Sequence, residues 1–563
     1  MPFAQDAPDS QYLIQKASDI SGGSVDVGEE HLIPANAAVT LLNIEASAAG
    51  RRRKLLGVRS RGAPGGQLNP PNGLIEFESP SFEHIVGVFG SEMWSTDGIL
   101  ENAWVRRASG VSLYNTDYHA VQGRGATGAP TLFLASAVGV SDNASLPNAH
   151  LVALDNSWGA TLITDVRPRA LAWYQSRLWG FNSSHTLHGK DFLVWSNVFD
   201  GRNFTNGQSI QIGGEDADEG TALIPLRGER PAILCFKERS VHLLEIFWQT
   251  DGFYPATSNA MDFTTARLRP IVTQTGCVGT RALTWAPGLS GADILFLSRE
   301  GIRSLQRSQT DAQGGAGPPL SERIQQQIDR INWRFADRSL ATHFNNVAYF
   351  AVPVDGSERP NFVVAYNTLR DQFFFTDWQT NGWARAKLSS ERKLFYLGST
   401  GGTDGFSGVT NGFHLYETER GNAAAFRQPI DMDEQTRAFT FPQGEGDTGM
   451  TARKLWRWIT MKVQAGDTIA SLSIQYKVDD DDDWSILGSL NIQPSDAFPE
   501  LPIPLPFGFG AGRILKRSFS LHALRPGYKL QFRFQDSTSF ARLQILEADV
   551  LATGENVGFV SNG

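Results

Sequence analysis

Ala232–Ile246 reads AILCFKERSVHLLEI. Five apolar residues, four polar ones suited to a tight turn, and a second run rich in Val, Leu and Ile predict a β-hairpin. Outward from it the same unit recurs, although its sequence does not. RLWGF (Arg177–Phe181) reaches DFLVWS (Asp191–Ser196) across a polar loop. DILFLS (Asp293–Ser298) turns at REG into IRSLQ, and NFVVAY (Asn361–Tyr366) turns at NTLRD into QFFFTDW. KLFYLGS (Lys393–Ser399) leads through a Gly-rich loop to FHLYET (Phe413–Thr418), and TLFLASAV (Thr131–Val138) pairs with HLVALDN (His150–Asn156). The units begin roughly 30 to 70 residues apart, near the ~40–50-residue period of propeller blades. A small sheet with two apolar faces cannot bury both alone. Sheets set side by side in a ring bury every face and leave only short edges.

The fold expected is all-β: an irregular six- or seven-bladed β-propeller over residues 76–424, followed by a C-terminal β-sandwich over 425–563. The second region is set apart by strict alternation in KLWRWITMKVQ (Lys454–Gln464), SLSIQYKV (Ser471–Val478) and KLQFRFQ (Lys529–Gln535), the mark of sheets with one buried face. One helix is expected inside the propeller, near 320–335, in PPLSERIQQQIDRINWRF. Ser321 reads as its N-cap, and Ile324, Ile328 and Ile331 form its apolar stripe. Residues 1–75 form a third segment, with a strand candidate in AVTLLNIEAS and a basic Gly/Pro stretch.

Composition fits this reading. The chain has 563 residues, 41% hydrophobic and 19% charged, enough to bury a core and too long for a single one. Its 35 Phe and 14 Trp, with 56 Gly dispersed among them, suit many short strands and turns. A net charge of −9 argues against a general nucleic-acid binder but suits a wall past which DNA slides. Two cysteines, Cys235 and Cys277, make no framework and no metal spacing, so buried free thiols made in a reducing cytosol are expected. The first twenty residues lack a basic start and an apolar run, and no stretch reaches the ~18 apolar residues of a membrane span.

Catalytic motifs are not found. GxSxG, HExxH and a Walker A loop do not occur, and GRGATG (Gly123–Gly128) lacks the Lys of a phosphate loop and reads as a turn. Asp479–Asp483 could offer oxygens to Ca²⁺, but five consecutive carboxylates cannot converge on one ion, so a solvated hairpin tip is expected. The same run before Trp484 lacks the Gly and Thr of a sialidase Asp-box. Glu215, Asp216, Asp218 and Glu219 form a second acidic loop. No cofactor or metal is expected. The sequons at Asn143, Asn182 and Asn203 read as chance matches. Arg51, Arg52, Arg53 and Lys54, in a Gly-flanked loop, are the candidates for contact with DNA phosphate or an acidic neighbouring subunit.

RALAWYQSRLWGFNS, FLVWSNVFDGRNF and SIQIGGEDADEGTALIPLRGERPAILCFKERSVHLLE, followed by GCVGTRALTWAPG and ILFLSREGIRSLQ, resemble in their order the nozzle proteins of short-tailed phages. That family is also called tail tubular protein B or packaged-DNA stabilisation protein. The resemblance is carried by residues 168–335, including the helix from Ser321, and extends to the C-terminal region only in style. It implies a non-enzymatic virion protein: a homohexameric ring below the tail adaptor, through which viral double-stranded DNA leaves, with tail fibres attached nearby. Assembly would take place in the host cytoplasm. The candidate gate or tip loops are the Gly-rich stretch with Gly401 and Gly405 and the apolar stretch with Pro504, Phe507 and Phe509. Residues 1–75 would dock the adaptor. The alternative is a propeller-based glycosidase or depolymerase of a phage tail, which needs two carboxylates ~5–9.5 Å apart.

Overall fold

The computed structural model describes residues 12–554 apart from 65–70, 98–102, 109–116, 137–150, 184–188, 249–260, 307–317, 400–412, 419–426, 442–452, 493–513 and 537–542, and runs of at most four residues elsewhere. The chain is mostly β, arranged in many small sheets, with one short α-helix among the described residues.

Seven antiparallel sheets follow one another along the chain. Sheet I holds Pro71–Ser79, Phe82–Phe89, Glu92–Thr96 and Val105–Ala108. Sheet II holds Tyr118–Arg124, Pro130–Ser136, Leu151–Asp155 and Ala160–Ile163. Sheet III holds Ala170–Tyr174, Arg177–Phe181, Phe192–Trp195 and Ser209–Gln211. Sheet IV holds Gly220–Leu226, Ala232–Lys237, Ser240–Glu245 and Arg267–Thr273. Sheet V has three strands, Leu283–Gly288, Gly291–Ser298 and Gly301–Ser304. Sheet VI holds Leu340–Phe344, Val347–Val352, Phe362–Asn367 and Gln372–Thr376. Sheet VII holds Gly382–Leu388, Glu391–Ser399 and Phe413–Glu417. Each hairpin anticipated from the sequence forms, because each is local and strongly patterned. GRGATG is the turn between the first two strands of sheet II.

Apolar residues join neighbours in order. Phe77 and Val86 of sheet I meet Leu132 and Val152 of sheet II, and Phe133 of sheet II meets Leu171 and Leu178 of sheet III. Trp179 and Trp195 of sheet III share a cluster with Ile233 and Leu244 of sheet IV, and one cluster spans sheets IV, V and VI. Leu74 and Phe89 of sheet I also pack on Ala384, Phe395 and Leu415 of sheet VII. The approach there is close: a Cβ on Gly382 would stand 2.6 Å from the Leu74 nitrogen, so only glycine fits.

Sheet VII draws its outer strand from far upstream. Val58–Ser60 pairs with Phe413–Glu417, and Arg427–Gln428 pairs with it in turn. Arg61 Nη2 and Nε donate to Glu417 Oε2 at 2.6 and 2.9 Å in a buried ion pair that fixes this strand.

Two further sheets share one apolar core. Sheet VIII contains Ile514–Ser520, Lys454–Ala465, Leu543–Gly554, Arg52–Lys54 and Ile44–Ala46, with Tyr12–Lys16 also on Leu543–Gly554. Sheet IX contains Ala37–Leu42, Met432–Thr436, Leu530–Asp536, Ala470–Val478 and Ser485–Ile492. Trp456, Met461 and Val550 from one meet Leu472, Phe532 and Phe534 from the other. The described strands between residues 12 and 60 lie in sheets VII, VIII and IX. Ala37–Leu42 also touches Gln372–Thr376, at Leu42 and Phe375, so sheets VI and IX run together.

The helix is shorter than its sequence promised. A 3-10 turn, Leu320–Ile324, precedes a single α-helical segment, Gln325–Asp329. Ile324, Ile328 and Ile331 are buried, as their spacing required. Ser321 is not the cap. Its hydroxyl accepts from the Ile302 nitrogen at 3.0 Å, covering the open edge of three-stranded sheet V. The capping carboxylate is Asp26, which accepts from the nitrogens of Gln326 and Gln327, both at 3.2 Å. Burial pushes its carboxyl up to about 6 against those hydrogen bonds.

Candidate functional site

The basic run is a strand, and its side chains alternate. Arg51 is exposed, Arg52 buried, Arg53 half-buried and Lys54 buried. Arg52 Nε donates to Glu434 Oε1 at 2.5 Å, and Lys54 Nζ to Asp536 Oδ2 at 2.8 Å, with all four side chains at most 2% exposed. Arg53 pairs with Glu45 at 2.8 Å. Burial pushes the Glu434 carboxyl up while Arg52 pulls it back. The expected Gly-flanked contact loop is thus corrected at two of its four residues: Arg52 and Lys54 are buried and stitch the N-terminal strands to residues 432–536. A run of cations in one strand can send only every second side chain inward.

A cavity of about 390 Å³ lies where the first strands of sheets I, II, IV, V, VI and VII converge. Each of these strands is the last in its sheet and pairs on one side only. Arg281 closes part of the cavity. Its Nη2 lies 3.2 Å from Asp117 Oδ2, ahead of sheet II, and its Nη1 donates to the Asn381 carbonyl, 3.5 Å away ahead of sheet VII. The Ala341 nitrogen of sheet VI donates to the Arg281 carbonyl at 2.6 Å. His119 lines the cavity, and its Nδ1 accepts from the Leu171 nitrogen of sheet III at 3.0 Å, which places its proton on Nε2. Burial, aided by Arg281, lowers its pKa to about 4, so it is neutral at pH 7. Glu76 is the carboxylate among the lining residues, and burial raises its pKa. Sequence reasoning missed this site, since each contributing strand looks like an ordinary apolar run.

The other expected sites are scattered. Gly401, Gly405, Pro504, Phe507 and Phe509 lie outside the described residues, as do Glu215, Asp216 and Asn143. Asp479–Asp483 sits at the tip between Ala470–Val478 and Ser485–Ile492. Its carboxylates go to separate partners: Asp479 to the nitrogens of Tyr528 and Lys529, Asp480 to Lys529 Nζ and Asp481 to Arg525. Glu219 is shared by Arg169 and Lys190. Among the described residues no three His, Cys, Asp or Glu side chains are grouped to hold a metal ion. Cys235 and Cys277 are buried free thiols, the latter pushed up to about 12 by burial. Asn182 is 1% exposed and donates to the Gly220 carbonyl at 2.8 Å, so its sequon is closed to modification in the folded chain.

No family model and no curated protein matches the chain. Among solved structures it is similar to an exo-β-1,3-galactanase from Phanerochaete chrysosporium with β-1,3-galactotriose, at 6% identity over 89% of this chain and 100% of that one, with a TM-score of 0.24. It is also similar to BBS1N in complex with ARL6DN, at 10% identity over 73% and 98% of the two chains, with a TM-score of 0.24. Likenesses this slight transfer neither fold nor activity.

Proposed function

We propose that the chain is a non-enzymatic structural subunit of a short phage tail, the nozzle, which lines the DNA exit channel as a homohexamer and retains the genome until ejection. In this reading sheets I–VII are a seven-bladed propeller closed by Val58–Ser60, sheets VIII and IX are a sandwich, and the adaptor and tail fibres are partners of the assembled ring. The observation that carries it is an order. The motifs of the nozzle resemblance, within residues 168–335, fall in sequence on sheets III, IV and V and on the short helix, one element after another. The net charge of −9 suits a conduit that must not hold DNA. Of the basic run, exposed Arg51 is the residue an adaptor contact would use.

The depolymerase alternative needs a facing pair of carboxylates. The axial cavity offers Glu76 opposite arginines and indoles, which does not favour it.

Native mass spectrometry and electron microscopy of the purified chain test the proposal. The expected particle is a six-fold ring whose lumen admits duplex DNA, with no tight DNA binding at physiological salt. A monomer under all assembly conditions, with or without the adaptor, would overturn it.

A further inference from the structure

We infer that the axial cavity is a binding site for a small, uncharged, polyhydroxylated molecule such as a mono- or disaccharide. The inference stands apart from the tail assembly and involves no bond cleavage.

Three features of the cavity converge on this class. Each contributing strand is an end strand, so its axial edge carries backbone N–H and C=O groups without a strand partner, and six such edges meet around one space. Two lining side chains then add opposite unmet needs. Glu76 Oε1 is a buried acceptor without a hydrogen bond, and Arg281 Nε is a buried donor without one. A hydroxyl both donates and accepts, so one ligand type answers both demands. Finally, charges of both signs meet at the cavity. Arg281 faces Asp117 at 3.2 Å, Glu76 faces Arg392 at 3.8 Å, and His119 carries no charge at pH 7. An anion would meet Glu76, and a cation would meet Arg281 and Arg385, whereas a neutral ligand meets neither penalty. Trp285 and Trp383 add apolar wall. The volume of about 390 Å³ falls in the range of small-molecule sites, roughly 300–1,000 Å³.

Isothermal titration of the full chain with glucose, mannose, maltose and glycerol, and with phosphate and citrate as charged controls, tests the site. At least one of the sugars or glycerol is expected to bind saturably, with a dissociation constant around a millimolar. Glu76→Gln keeps the shape of the site and is expected to weaken binding about tenfold. No saturable binding of any neutral probe at high millimolar concentration overturns the inference. So does tighter binding of phosphate or citrate, or sugar binding that Glu76→Gln leaves unchanged.

Discussion

Lys54 and Asp536 stand 482 positions apart in the chain and 2.8 Å apart in the fold. Both side chains are buried, so breaking their ion pair is costly. Lys54→Ala removes one half of this buried ion pair and is expected to cost about 3–5 kcal/mol, read as a fall in denaturation midpoint. Replacing both, as Lys54→Met with Asp536→Leu, removes both buried charges together, and most of the loss should return. His119 makes a different demand. Its folded pKa of about 4 lies below the ordinary 6.5, so between those values the unfolded chain takes up a proton that the folded chain refuses. The stability is fully present above pH 6.5 and is lost as pH falls towards 4, a change on the order of 3 kcal/mol. His119→Gln should flatten the dependence of melting temperature on pH across that window.

Among the elements, the strand Val58–Ser60 has the largest role for its length. Without it sheet VII would present an open edge. Arg61→Ala removes the cation of a buried ion pair with Glu417 and loosens that strand. Hydrogen exchange in Glu391–Ser399 and Phe413–Glu417 should then quicken by about a hundredfold, while sheets II to IV keep their protection. The contrast with Ala232–Ile246 explains what a sequence discloses. That hairpin declares itself because both strands and the turn lie within fifteen residues, whereas Val58–Ser60 has three residues, one of them Arg, and a partner some 350 positions away. The helix tells the same story. Its apolar spacing was legible in Ile324, Ile328 and Ile331, but its cap was not, because Asp26 lies 300 residues upstream.

For the molecule as a whole, the succession of small sheets was readable, since hairpin patterning is a local property. What could not be read was where the strands between residues 12 and 60 go. Arg52 and Lys54 look like surface cations until Glu434 and Asp536 appear opposite them, and nothing in the basic run itself announces those partners. The cavity was hidden for a similar reason: six strands from far apart in the sequence each supply two to four residues, and only the packing of the sheets brings them together.

That interleaving of the two ends of the chain sets a timetable. A ribosome adding ~5–20 residues per second needs roughly half a minute to a minute and a half after Lys54 to reach Asp536. For most of that interval Met432–Thr436 and Leu543–Gly554, on which Ala37–Leu42 and Arg52–Lys54 pair, do not yet exist. These upstream strands thus settle late, because their places are set by segments made long after them.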